Sequence, residues 1–257
     1  MSRPNPMPRL HRWRSNALQA PLLFLATGVF GSFSLATSLF DRHGRLQYRI
    51  ARIWARACIL ASGSRLRILG AENLRRHSVA VYAANHTSYM DTPVVFAALP
   101  FQFRILAKKE LWAMPFIGWH LNRSGQIPIN TDNPRATLSS LGAAAKAVRN
   151  GMPLFVFPEG GRTTDGALQP FMNGAAYLAI RAQVPLVPIA LHGVYDLLPI
   201  HTHHFYSGTL TLIAGEPIPT TGLTIRDADT LTTQLREAIQ QLLAQLEPAQ
   251  TLPTQIS

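Results

Sequence analysis

The chain has 257 residues, 47% hydrophobic and only 14% charged, so it can bury the core of one large domain or of a domain with an appendage. Its net charge of +11 favours anionic partners, but no zinc-finger spacing and no basic region with heptads supports nucleic acid. The single cysteine, Cys58, excludes an intramolecular disulfide and reads as a small buried hydrophobe.

Residues 17 to 40, ALQAPLLFLATGVFGSFSLATSLF, carry no charge. At about 1.5 Å per helical residue this run can cross a hydrocarbon core of about 30 Å, and it is long for a signal peptide. Its flanks conflict with a single crossing. Arg3, Arg9, Arg12 and Arg14 precede it, while Arg42, Arg45, Arg49, Arg52 and Arg56 follow with Asp41 alone opposing them. Basic flanks belong on the cytoplasmic side, and one straight span cannot place both there. A re-entrant or single-leaflet segment resolves the conflict, with LQYRIARIWARACILASG as a second, interfacial helix whose arginines at 49, 52 and 56 recur at helical spacing. An ordinary spanning anchor is the alternative. Residues 1–62 are thus expected to form a membrane-associated helical anchor, with the cytoplasmic face of the cell membrane as the location.

From about residue 65, strand-length apolar runs alternate with helical stretches. The runs are RLRIL, SVAVYAA, FRILA, QIPI, PLFVF, LVPIAL and TLTLIAG. NPRATLSSLGAAAKAVRNG is a helix stopped by Gly151, and NGAAYLAIRAQ is a shorter one. DADTLTTQLREAIQQLLAQLE has apolar residues at 231, 235, 239, 242, 243 and 246, so it packs one face on the domain. This alternation predicts an α/β fold over residues 63–247, with a mixed, largely parallel sheet flanked by helices, and a loose tail at 248–257.

Ligands of such sheets gather at the carboxyl ends of strands, and two polar clusters fall there. NHTSYMD follows SVAVYAA, and FPEGGRTTDG closes PLFVF. On one continuous helix His86 and Asp91 would point about 140° apart, so they pair only if the chain turns between them. Thr92-Pro93 predicts that turn, with Thr92 as a helix cap and Asp91 at the helix start. Taken alone, the pair is either catalytic or a polar turn containing a histidine. The second cluster offers backbone N–H groups and Arg162 to a phosphate, yet lacks the lysine of a P-loop.

Together the clusters closely resemble the glycerophospholipid acyltransferase family, the 1-acylglycerol-3-phosphate acyltransferase type. Asn85, His86 and Asp91 match its NHxxxxD block, and Phe157 to Thr163 match FPEGTRS. AKKELWAMPFIGW resembles its lysine-containing block, with Lys108 at the lysine, and VPLVPIALHG its Val-Pro block. The resemblance implies acyl transfer from a thioester, acyl-CoA or acyl-carrier protein, to the hydroxyl of 1-acyl-glycerol-3-phosphate. It implies no cofactor and no metal. His86 would be the general base and Asp91 its orienting carboxylate; Arg162 and Lys108 would hold the acceptor phosphate. Glu159 would order its loop, and backbone N–H groups near Gly160 and Gly161 would face the oxyanion. Three positions depart from the family: Gly161 replaces Thr, while Thr131 and Met172 replace basic residues. Arg123 or Arg135 are candidates to supply the missing charge. The departures keep a second acceptor open, a lyso-lipid such as lyso-ornithine lipid, and a non-catalytic lipid-binding protein is a third reading. The histidines of HTHH, residues 201 to 204, lack a fourth metal ligand.

Overall fold

In the computed structural model, each apolar run holds one strand: β1 (Arg65–Leu69), β2 (Val81–Ala84), β3 (Arg104–Lys108), β4 (Ile127–Ile129), β5 (Leu154–Val156), β6 (Leu186–His192) and β7 (Thr209–Ala214). The structure describes residues 9–41, 43–77, 79–114, 116–199, 202 and 204–246; the expected tail, His201 and His203 lie outside these. The strands form one sheet in the order β1-β7-β6-β2-β5-β3-β4. Every pair is parallel except β6 with β7. That single reversal brings the starts of β7 and β1 to the edge where β6, β2, β5 and β3 end.

The central strand β2 is buried throughout, as a strand covered on both faces must be. Its side chains alternate: Tyr82 and Ala84 join the core on one face, Val81 and Ala83 the core on the other. The first core is closed by helices α3 (Arg45–Ala61) and α5 (Asp91–Ala98). The second is closed by α7 (Pro134–Arg149), α8 (Gly174–Ala182) and α10 (Ala228–Ala244). The side chain of Asn133 caps α7 by accepting from the Ala136 N–H, and Gly151, at φ 90°, follows its end. In α10, Leu231, Leu235, Ile239 and Leu242 are buried as the periodicity requires. Shorter helices are α1 (Arg9–Arg14), α4 (Ala71–Arg76), α6 (Ile117–Arg123) and α9 (Val194–Leu197).

A π-helical turn, Ser15–Gln19, joins α1 to α2 (Ala20–Thr37). Arg12–Thr37 is long and apolar enough to cross a membrane, and little of it is buried. The α2–α3 pair, with the π-helical turn before it, buries several polar side chains and exposes large apolar ones. Ser15, Gln19, Ser34 and Gln47 are buried, whereas Phe24 is 74% exposed, Phe33 61% and Leu60 78%. Polar contacts tie both ends of α2 down. Gln19 Nε2 donates to the Ser62 carbonyl at 2.6 Å, and Ser34 Oγ pairs with His120 Nδ1 of α6 at 3.2 Å. Midway, Trp54 of α3 donates to Thr27 at 3.1 Å. Helix α3 does more than lie on a surface: Ala55, Cys58 and Ile59 are buried against the sheet.

Candidate active site

Past the end of β2, the side chain of Asn85 continues the sheet. Its amide donates to the Leu191 carbonyl at 3.0 Å and its oxygen accepts the Leu191 N–H at 2.8 Å. This staple to β6 imitates a strand pair and lets the chain turn away at His86. Helix α5 then starts at Asp91, with Pro93 in its first turn. Thr92 is not the cap, contrary to the sequence expectation: Met90 holds that position and makes no side-chain cap. The helix start is ordered from Asp91 itself. Its Oδ2 accepts the backbone N–H of Thr87 at 2.6 Å and of Ser88 at 2.8 Å.

The same Oδ2 lies 2.7 Å from His86 Nδ1, with the Asp91 side chain fully buried and that of His86 13% exposed. A carboxylate so deep in the protein is tolerable because every donor around it points inward. The imidazole is held from a second direction by Phe157, stacked at 3.9 Å between centroids and 16° between planes. With Nδ1 against a carboxylate, Nδ1 carries the ring proton and Nε2 offers its lone pair. No side chain among the described residues hydrogen-bonds that nitrogen.

The second motif is fastened to the first. Glu159 Oε1 accepts the backbone N–H of His86 at 2.7 Å, and its Oε2 accepts that of Gln169 at 3.0 Å. Burial pushes the Glu159 carboxyl up to about 7, despite those two N–H groups, which favour the ionised form. The Thr163 N–H donates to the His86 carbonyl at 3.0 Å, and Thr163 is buried. Between these fixed points Gly161 and Arg162 are exposed. Gly160 has φ 69°, a conformation open to glycine, and its N–H donates to the Phe157 carbonyl at 3.1 Å. That bond closes the turn and removes Gly160 from the expected oxyanion donors. Gly161 is exposed, has open space around it, and its N–H makes no backbone hydrogen bond among the described residues, so it is available to a substrate.

Arg162 lies over Tyr89, its guanidinium carbon 4.0 Å from the ring centroid. Sequence reading passed over Tyr89, and it gave Phe157 a place in the second motif but not its stacking on His86. An aromatic three residues after the histidine was the available signal, but its partner sits in the other motif. Lys108 ends β3 and is exposed on the same sheet edge, two strands from β2. Its neighbour Lys109 forms an ion pair with Asp132. Arg135, in the first turn of α7 after β4, is also on this edge. Arg123 is not: it precedes β4, and Arg104 at the start of β3 donates to the adjoining Ser124 carbonyl. Arg123 thus lies toward the opposite end of β3 and β4 from Lys108 and Arg135.

An imidazole held by a buried aspartate on an α/β sheet, with no hydroxyl or thiol of the described residues on its free nitrogen, is a geometry suited to His–Asp enzymes in which the substrate brings the hydroxyl. The chain belongs to the Acyltransferase family, whose family model matches residues 65–192. It is 33% identical over 183 residues to the chloroplastic 1-acyl-sn-glycerol-3-phosphate acyltransferase BAT2 of Brassica napus, covering 70% of this chain and 53% of that protein. It is 31% identical over 170 residues to the human 1-acyl-sn-glycerol-3-phosphate acyltransferase beta, covering 66% of this chain and 61% of that one. The chain thus spans about half to two thirds of the length of these curated relatives. The fold matches the crystal structure of the 1-acyl-sn-glycerophosphate acyltransferase PlsC from Thermotoga maritima with a TM-score of 0.78 and 24% identity, over 94% of this chain and all of that one.

Proposed function

We propose that the chain transfers an acyl group from a thioester, acyl-CoA or acyl-carrier protein, to the free hydroxyl of 1-acyl-glycerol-3-phosphate, giving phosphatidic acid. The observation that carries this reading is the 2.7 Å contact between His86 Nδ1 and the buried Asp91. The acceptor hydroxyl gives its proton to His86 Nε2 as its oxygen attacks the thioester carbonyl. Asp91 stabilises the imidazolium so formed, as the aspartate of a serine-protease triad does, though here the nucleophile is the substrate. The tetrahedral oxyanion is met by the Gly161 N–H. Collapse breaks the C–S bond, and the imidazolium returns its proton to the thiolate. Arg162 and Lys108 bind the acceptor phosphate, and Glu159 holds the two motifs in register. No cofactor enters this scheme. Membranes or purified protein supplied with a panel of lyso-lipid acceptors and both donor types test it. Acceptor-dependent phosphatidic acid supports it; thioester loss without an acylated product would make the protein a hydrolase.

Thr131 and Met172 support a second reading, O-acylation of a lyso-lipid with another headgroup such as lyso-ornithine lipid. Met172 packs an apolar side chain at Gly160, where relatives of this type often carry a lysine nearby. The same panel separates the two.

We further propose that residues 1–62 form the membrane-associated unit, lying in one leaflet, with residues 63–247 as the catalytic unit on the cytoplasmic face. Both ends of α2 being tied to the same body supports this: Gln19 and Ser34 are about 22 Å apart along the helix, yet Gln19 bonds to Ser207 and Ser34 to His120, both within residues 63–247. A spanning helix would carry one of them to the far side. Cysteines at positions 5 and 44, in a Cys58→Ser background, report the topology. Both protected from an impermeant reagent until the membrane is opened is the expected result; labelling of one alone in intact cells would mean a single span.

A further inference from the structure

Between α2 and α3, on the side away from the sheet, runs an open groove of about 540 Å³. Leu22, Leu25, Val29 and Phe30 form one wall, and Ala57 and Leu60 the other. One end is polar. There Arg14 Nη2 donates to Ser207 Oγ at 3.1 Å, and Gln19 Nε2 donates to the Ser62 carbonyl and, at 3.3 Å, to Ser207 Oγ. Two atoms in this cluster have no partner among the described residues: Gln19 Oε1, in a side chain that is 3% exposed, and Arg14 Nε. A buried acceptor and a guanidinium donor left unmade in the lining of one groove call for a ligand with both complements. The backbone here is the π-helical turn Ser15–Gln19, which places Arg14 and Gln19 together at the groove end. Such turns are rare and recur at functional sites.

We infer that this groove is a lipid-binding site, separate from the catalytic cleft, for an anionic diacyl phospholipid whose headgroup carries a free hydroxyl. One acyl chain lies between α2 and α3. The phosphate meets Arg14, and the headgroup hydroxyl donates to Gln19 Oε1. The apolar walls and the exposed Leu25 and Leu60 fit a hydrocarbon chain arriving from a bilayer, and the net charge of +11 fits an anionic headgroup. Arg14, Gln19, Gly63 and Ser207 sit where β7 and β1 begin, on the sheet edge that carries His86. A phospholipid bound there sets the catalytic edge at headgroup depth. The inference rests on the membrane reading of residues 1–62.

The test uses the full chain, purified in mild detergent after exposure to vesicles of phosphatidylglycerol, phosphatidylethanolamine or phosphatidylcholine, with retained lipid counted by native mass spectrometry. One phosphatidylglycerol per chain is expected, with phosphatidylcholine, whose headgroup has no donor for Gln19 Oε1, retained about fivefold less, the scale of one hydrogen bond. Arg14→Gln lowers retention of phosphatidylglycerol at least about tenfold, the scale of a charge-assisted hydrogen bond. Ala57→Leu, which fills the groove and leaves the polar end intact, lowers retention of phosphatidylglycerol; it carries the test should Arg14→Gln fail to fold. His86→Ala leaves retention unchanged. Equal retention of phosphatidylglycerol and phosphatidylcholine overturns the site, as does retention indifferent to both groove variants, and a loss caused by His86→Ala places the lipid in the catalytic cleft instead. Failure to bind any vesicle overturns the membrane reading and this inference together, whereas vesicle binding without selective retention overturns only the inference.

Discussion

His86 is held by three different forces: a carboxylate on one nitrogen, a stacked ring on its face and Glu159 on its own N–H. His86→Ala should lower kcat at least about a hundredfold in steady-state assays, the usual cost of a lost general base. Asp91→Asn removes the charge that stabilises the imidazolium and turns an amide NH₂ toward backbone donors, so it should lose turnover and about 1–3 kcal/mol of unfolding free energy in denaturant titrations. Glu159 gives a pH signature. Its carboxyl is raised from 4.5 to about 7 in the folded protein, so the folded state binds the extra proton between those values. The associated stability is fully present below pH 4.5 and is lost as pH rises through 7. Wild-type unfolding free energy should therefore fall across that window by on the order of 2 kcal/mol, and Glu159→Gln should flatten the fall. At Tyr89, replacement by Leu should raise the acceptor KM about two- to fivefold with kcat and donor KM unmoved, while Phe restores it, since a cation–π contact at an exposed site is worth that much. That His86 and Asp91 meet was legible because a helix start just after a strand end turns the chain between them, whereas a catalytic role for the pair rested on the resemblance and not on the spacing. Tyr89, the stacking of Phe157 and the closed turn of Gly160 were not legible, because their partners are remote in sequence or decided by the path of the backbone.

Among the elements, the strands were readable from their runs of apolar residues, and α7 and α10 from caps and periodicity. The α2–α3 pair was readable only in part. An uncharged run bounded by arginines announces a membrane element, but not that Ser34, Gln19 and Gln47 face inward. Nor does the arginine spacing in α3 reveal that Ala55, Cys58 and Ile59 close the sheet core, because that helix has apolar residues on two sides. This arrangement separates stability from membrane binding. Leu25 is 62% exposed, so Leu25→Asp should leave far-UV circular dichroism and Tm nearly unchanged. The same change places a charge against hydrocarbon and should move the protein from sedimented vesicles to the supernatant. Retention of full vesicle binding by that variant would place the contact surface elsewhere.

For the molecule as a whole, the sheet order could not be read from the sequence. Nothing local tells β1 to pair with β7, or that β6 and β7 run opposite ways while the rest run together. Yet this arrangement assembles function: it puts the dyad, the Gly-Gly-Arg turn, Lys108 and the polar end of the helical groove along one edge. A charge of +11 distributed on such a body makes association with anionic vesicles salt-dependent. Sedimentation at 0.5 M salt should recover markedly less protein than at 0.05 M, since the screening length shortens from more than 10 Å to well under 8 Å. The apolar contribution of α2 should persist at both.

The pairing of the first strand with the last has a consequence for the order of events during synthesis. Helices α2 and α3 leave the ribosome before any of the sheet, and β1 directly afterwards. Its hydrogen-bonded neighbour lies far downstream, as the Gly208 N–H to Ser64 contact, 144 residues apart, shows. At about 5–20 residues per second, roughly 7–30 s pass before that partner exists. Through this interval the exposed leucines and phenylalanines of α2 are already complete, while the edge that β1 must join is not. On the membrane reading proposed above, lipid is a cover that such a nascent segment finds without waiting, so attachment to the bilayer would precede closure of the enzyme. Pulse-labelled chains arrested before residue 209 should therefore sediment with membranes while their catalytic half remains open to protease.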